Sequence, residues 1–187
     1  MPNLAYQPEH YTTEDYQHWE GDWELIEGIP YAMSPAPALK HQTLSMGLAR
    51  LLDEALDPCP HCRALFETDI YFSSDTVVRP DLLIICHTPE GEFITRAPDL
   101  VVEIISPRRA RHDEHTKFQL YQSEGVAYYL IAYPDERKIK AWQLIDGNYR
   151  KIGDFHDQSL DLTLNGCPVT LNFAKLWQKK TASPMVV

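Results

Sequence analysis

Glu103 stands in the middle of "APDLVVEIISP", residues 97 to 107, flanked by Val101, Val102, Ile104 and Ile105. An apolar run of that kind reads as a strand buried on both faces. An ionised carboxylate there is costly unless a charged group or a set of donors meets it. A second acid, Asp81, opens a similar run, "VVRPDLLIIC". If the runs pair antiparallel about a connection centred near residue 92, Asp81 lies opposite Glu103, with Cβ atoms about 4.5–5.5 Å apart. Opposed acids repel, and the simplest group to sit between them is a hard divalent cation with oxygen ligands, Mg²⁺ or Mn²⁺. Two alternatives stand beside this one. A register shifted by one residue sends the acids to opposite faces, and Arg79 or Arg96 could meet a carboxylate in a structural ion pair.

Lys117 bears on that choice. In "RHDEHTKFQLYQSEG" the apolar Phe118, Leu120 and Tyr121 straddle one direction of a helical wheel, and Lys117 points along the middle of the stripe. If that stripe packs on the sheet, an ammonium joins the two carboxylates. Against this, a lysine can snorkel outward, or form a solvated pair with Asp113 one turn earlier on a rotated helix.

The elements that must position these groups follow from periodicity. Residues 1 to 20 are polar and aromatic, with "TTEDY" starting a short helix at Thr12 or Thr13. "WELIEGIPYAM" reads as two short strands around Glu27-Gly28, and "SPAPALKHQ" as a Pro-punctuated loop. Helical spacing runs from about Lys40 to Leu56, with His41, Leu44, Leu48, Leu51, Leu52 and Ala55 on one stripe. "ALFETDIYF", "VVRPDLLIIC" and "DLVVEIIS" are three strands, a helix spans about 111 to 124, and "AYYLIAY" is a fourth strand. Asp146-Gly147 turns a hairpin in "KIKAWQLIDGNYRKIGDF". Short connections make the first three strands an antiparallel meander, and a helical crossover adds the fourth in parallel. The expected fold is α/β: one domain over 1–187, a mixed central sheet flanked by helices, β-hairpin additions at each end, and a frayed tail at 180–187.

Composition sets limits. The hydrophobic fraction of 44% and charged fraction of 24% are those of an ordinary globular protein. No apolar run approaches the roughly 18–20 residues that span a bilayer, and no signal-peptide pattern opens the chain, so a cytoplasmic address is expected. There, Cys59, Cys62, Cys86 and Cys167 are expected as free thiols, with "CPHC" a loop rather than a metal or redox motif. The net charge of −10 argues against broad affinity for nucleic acid. The basic cluster Arg108, Arg109 and Arg111, directly after the Glu103 strand, is then the best candidate for contacting phosphates.

Taken together, "WELIEG", "MSPAPALKHQ", "VVRPDLLII", "APDLVVEIISP", "RHDEHTKFQLYQSEGVAYYLI" and the "DGNYR" hairpin resemble the PD-(D/E)XK nuclease superfamily. More closely, they resemble its Uma-type, restriction-endonuclease-like family, over roughly residues 22 to 175. The resemblance implies a restriction-endonuclease-like core in which Asp81 is the motif aspartate and Glu103 the second acid. Many superfamily members carry the lysine two residues after that acid, where this chain has Ile105. Uma-type sequences carry it on the following helix, the place of Lys117. Glu24 matches a family glutamate, with a solvated edge-strand carboxylate as its plainer reading. His41 matches the family's "HQ" position, though a lone histidine on an apolar face is more often a satisfied core residue.

What this implies is an Mg²⁺- or Mn²⁺-dependent endonuclease acting on nucleic acid, DNA in the first instance. Asp81, Glu103, Glu24 and the carbonyl of Ile104 would hold the ion. Lys117 would orient water or steady the transition state, and His41 would position water, touch phosphate or move a proton. Double-strand cleavage by one-site subunits would favour a homodimer. The competing expectation is a nuclease fold without turnover that binds DNA or a protein, which Ile105 and the acidic charge favour. A zinc or redox protein built on the cysteines ranks last.

Overall fold

A computed structural model of the chain describes residues 9–33, 38–87, 91–105 and 112–177. The first half comprises α1 (Thr13–Tyr16), β1 (Trp23–Ile26), β2 (Ile29–Ala32), α2 (Leu39–Ala55), β3 (Cys62–Phe66), β4 (Ile70–Ser73), β5 (Thr76–Val78) and β6 (Leu82–Cys86). Then come β7 (Leu100–Ile104), a π-helical turn (His112–Lys117), α3 (Phe118–Ser123), β8 (Tyr128–Tyr133), β9 (Lys138–Ile145) and β10 (Asn148–Phe155). The chain continues through β11 (Ser159–Leu164), β12 (Cys167–Asn172) and α4 (Ala174–Trp177).

A six-stranded sheet in the order β10-β9-β8-β7-β6-β3 forms the centre. Its pairs are antiparallel except β7 with β8, which is parallel because the chain crosses over through the π turn and α3. This is the mixed sheet expected from the sequence. Every residue of β6, β7 and β8 is buried, so the strands carry apolar side chains on both faces. Leu82, Ile84, Leu100, Val102 and Ile104 pack in the cluster that holds Leu44, Leu48, Leu51 and Leu52 of α2. Leu83, Ile85 and Val101 pack on the other face with Leu120 and Tyr121 of α3.

Two runs read as single strands are each broken, at positions that face each other in one bend. "ALFETDIYF" divides into β3 and β4 at Glu67, whose φ of 45° no strand continues. "VVRPDLLIIC" divides into β5 and β6 at Arg79-Pro80, where proline has no N–H for the ladder. Together they form one long hairpin bent at its middle, held by the Glu67 N–H donating to the Asp81 carbonyl at 3.1 Å. Beyond the bend, β4 and β5 join a second sheet in the order β2-β1-β5-β4. Asp81 therefore sits at the corner where the two sheets meet.

Glu27-Gly28 and Asp146-Gly147 turn their hairpins with φ of 50° and 75°, and of 51° and 74°. Both are type I′ turns, as their sequences lead one to expect. Asn165-Gly166, with φ of 49° and 82°, joins β11 to β12 in a hairpin that the strand assignment above omits. Its alternating Leu160, Leu162, Leu164, Val169 and Leu171 close the core over the α2 side.

The cysteines depart from expectation. Cys62 and Cys86 are direct cross-strand partners of β3 and β6 and form a disulfide, and Cys59 pairs with Cys167 across 108 residues of sequence. The two cysteines of "CPHC" thus bond to different partners rather than to each other. Among the described residues no helix is long and apolar enough to cross a membrane. Residues 180–187 lie outside the described residues.

Candidate active site

The corner collects side chains from separate elements. The register Leu82↔Val102, Leu83↔Val101 and Ile84↔Leu100, continued by one residue, sets Asp81 across from Glu103. The paired residues run from Leu82 to Ile84, so Asp81 stands one residue beyond the ladder. Asp81 lies in the sheet plane, its Oδ2 accepting the Ile104 N–H at 2.6 Å. Its Oδ1 is 3.2 Å from His41 Nε2, and the two side chains are 19% and 15% exposed, so solvent reaches both. The first turn of α2 supplies His41, which the Leu44–Leu48 stripe turns toward the sheet.

Glu103 is 3% exposed and is met by a lysine. Lys117, 1% exposed, places Nζ 2.9 Å from Glu103 Oε1 and 2.7 Å from Glu24 Oε1. Glu24 is fully buried on β1 and also accepts the Arg79 N–H at 3.0 Å, which ties the second sheet to the bend. Lys117 is the last residue of the π turn and the residue before α3. Single π turns of this sort recur at functional positions.

The structural ion pairs weighed for Glu103 are not made. Arg79 bonds Asp69 at 2.6 Å and Asp22 at 2.8 Å, and Arg96 donates to the carbonyls of Ala97, Cys86 and His87. The Asp69 carboxylate is the first reason that the Arg79 guanidinium is held above its ordinary pKa. Arg108, Arg109 and Arg111 lie outside the described residues, as does the side chain of Asp113.

One residue that the sequence reading treated as core packing belongs here. The Tyr121 hydroxyl donates to Glu103 Oε1 at 2.8 Å, from one helical turn beyond Lys117. Its spacing from Lys117 (i, i+4) was signal enough, since both then face Glu103. Complete burial, followed by the charges of Glu103 and Glu24, raises its pKa well above the ordinary 10.0. The folded value exceeds the unfolded one, so this contribution is full below about pH 10 and is lost as pH rises through the folded value. Urea unfolding between pH 9 and 11 should therefore show stability falling with pH above 10. In Tyr121→Phe that slope should be shallower by about 1.4 kcal/mol per pH unit, the equivalent of one proton. An unchanged slope would contradict the hydrogen bond and burial described.

Chemically, the corner offers carboxylate oxygens from Asp81, Glu103 and Glu24, with an ammonium and an imidazole alongside. The Ile104 N–H points toward Asp81, and in a strand the carbonyl of the same residue faces the same flank.

Comparison with known proteins bears on the fold and on the family. No curated protein matches the chain. A solved structure described as "a putative nuclease belonging to DUF820 from Anabaena variabilis ATCC 29413" superposes with a TM-score of 0.72 at 18% identity, covering 89% of this chain and 97% of that one. At that identity the likeness is one of fold. A family model matches residues 13–173, which contain Glu24, His41, Asp81, Glu103 and Lys117 alike, and the chain belongs to that family, Uma2, described as "Putative restriction endonuclease".

Proposed function

We propose that the chain is a metal-dependent endonuclease that hydrolyses phosphodiester bonds of DNA at the corner of its two sheets. The observation that carries this is Lys117, whose ammonium lies 2.9 Å from Glu103 and 2.7 Å from Glu24 although it comes from the helix after the acid strand. The lysine missing from position 105 is thereby supplied from another element. The donor types suit a hard cation: the Asp81 and Glu103 carboxylates, the Ile104 carbonyl and Glu24 are all oxygens, which a bound ion would draw into one shell. Bound there, Mg²⁺ or Mn²⁺ would neutralise charge on the scissile phosphate and acidify water.

The chain's own residues do the rest. Asp81 is held by the Ile104 N–H and by His41, so its orientation is fixed before substrate arrives. Glu24, anchored on the Arg79 N–H, steers Lys117 toward the acids. The Lys117 ammonium stabilises negative charge that grows on the phosphate. His41, partly open to solvent beside Asp81, holds water or moves a proton. Arg108, Arg109 and Arg111 would supply the phosphate contacts that a chain of net charge −10 otherwise lacks. Cleavage of both strands calls for two copies about a two-fold axis.

The test is hydrolysis of supercoiled plasmid and of single-stranded DNA by the purified chain with Mg²⁺ or Mn²⁺. Nicked or linear product that disappears with a chelator is expected. The second reading, a nuclease fold that binds without turnover, draws on Ile105 and the acidic charge. It takes over if the protein binds metal and DNA but leaves both substrates intact.

A further inference from the structure

The carboxylate corner leaves a second cluster of ligating side chains unused. His61, Cys62 and Cys86 each bring one ligand atom within 4.8 Å of the other two, the one such group among the described residues. We propose that these three residues, completed by His87, form a separate tetrahedral site for a zinc ion when the Cys62–Cys86 pair is reduced.

The strand register builds the site. Cys62 and Cys86 are direct partners of β3 and β6, with Cα atoms 3.8 Å apart and side chains 7% and 0% exposed. His61 precedes one and His87 follows the other, and their rings stack with centroids 4.8 Å apart. The His87 N–H donates to the His61 carbonyl at 2.7 Å, which locks the two histidines to one end of the strand pair.

The surroundings hold the ligands in place. The Cys86 N–H donates to Asp99 Oδ2 at 2.7 Å. The Arg96 guanidinium donates to the Cys86 carbonyl and, at 3.1 Å, to the His87 carbonyl. Partners one step out from the ligands are what a metal site needs to fix orientation. Cys59 and Cys167, with Cα atoms 6.0 Å apart, have no such histidine group and serve as a plain crosslink.

Donor chemistry selects the ion. Two thiolates and two imidazoles are a borderline-soft set that suits Zn²⁺, whereas the oxygen set around Asp81 suits Mg²⁺. The sites lie at opposite ends of β6, about 16 Å apart at roughly 3.3 Å per residue. The disulfide seen between Cys62 and Cys86 is first reduced by two electrons, either by a dithiol that becomes a disulfide and hands over its two protons, or by a phosphine that becomes its oxide while water supplies the oxygen and both protons, giving two thiols. Zn²⁺ then displaces both thiol protons to solvent. Zn–S bonds of about 2.3 Å require the sulfurs to separate to about 3.8 Å, which rotation of the side chains can supply.

The experiment uses the full chain, reduced with a phosphine and dialysed against Zn²⁺ or Co²⁺ alone. One zinc per chain is expected, with cobalt showing thiolate charge-transfer absorption and the intense visible bands of tetrahedral geometry. The oxidised chain should take up no zinc at this site. His61→Ala, at a partly buried position just before β3, should weaken zinc binding by more than the roughly 10- to 100-fold that loss of a supporting outer partner costs. Cys62→Ser should abolish the charge-transfer band. Asp81→Asn should leave zinc and cobalt binding as they are, which separates this site from the carboxylate corner. The proposal is overturned if the reduced chain binds no zinc, if the band survives Cys62→Ser, or if Asp81→Asn removes it.

Discussion

Lys117→Ala should lower stability by about 3–5 kcal/mol, because it leaves the buried carboxylates of Glu24 and Glu103 without the ammonium that lies between them. The same change should cut metal-dependent hydrolysis by about 10²- to 10³-fold, the usual cost of removing one group that stabilises transition-state charge. Urea unfolding measures the first effect and initial rates the second, at a temperature where the variant stays folded. Lys117→Arg keeps the charge and should recover part of the stability. Its forked, bulkier head does not reproduce a point ammonium, so turnover should stay low. A Lys117→Ala protein that is as stable and as active as the parent would remove Lys117 from both roles.

Asp81→Asn should act on chemistry and spare the fold. The amide oxygen can still accept the Ile104 N–H and the side chain keeps its shape, so loss of stability should stay near 1 kcal/mol. One charge is removed from the oxygen set, and with it several kcal/mol of cation-dependent stabilisation, so hydrolysis should fall by about 10³-fold. Mg²⁺ binding by calorimetry should weaken in parallel. If Asp81→Asn cleaves at the parental rate, the corner is not the active site.

Much of this layout was legible because a buried sheet leaves few choices. Val101, Val102, Ile104 and Ile105 forced a strand covered on both faces, which made Glu103 anomalous and its partner the thing to find. Lys117 was readable because it lies between Leu120 and Tyr121 on a helical wheel, although spacing alone left room for it to snorkel outward or pair with Asp113. Sequence spacing says nothing, however, about a π turn, since no residue type marks the wider hydrogen-bond step from His112 to Lys117. The bent hairpin was hidden for a similar reason. Glu67 carries a positive φ without being glycine, and Pro80 reads equally well as a strand end or as a corner. The Cys62–Cys86 pair follows from register, and register between strands whose cysteines lie 24 residues apart is a tertiary fact, as is the meeting of Cys59 with Cys167. Asn165-Gly166 is different, because its turn signal and the alternating leucines of β11 were present in the sequence and sufficient.

The central claim is that Asp81 and Glu103 share one hard cation while Lys117 stands beside it. Crystals grown with saturating Mn²⁺, with data collected at the manganese absorption edge, test this most directly. A single anomalous peak should lie between the two carboxylates and within bonding reach of the Ile104 carbonyl, and Mg²⁺ in the same place should have oxygen ligands at about 2.0–2.1 Å. Saturated crystals with no peak at that corner, and Lys117 still bridging Glu24 and Glu103 alone, would contradict it.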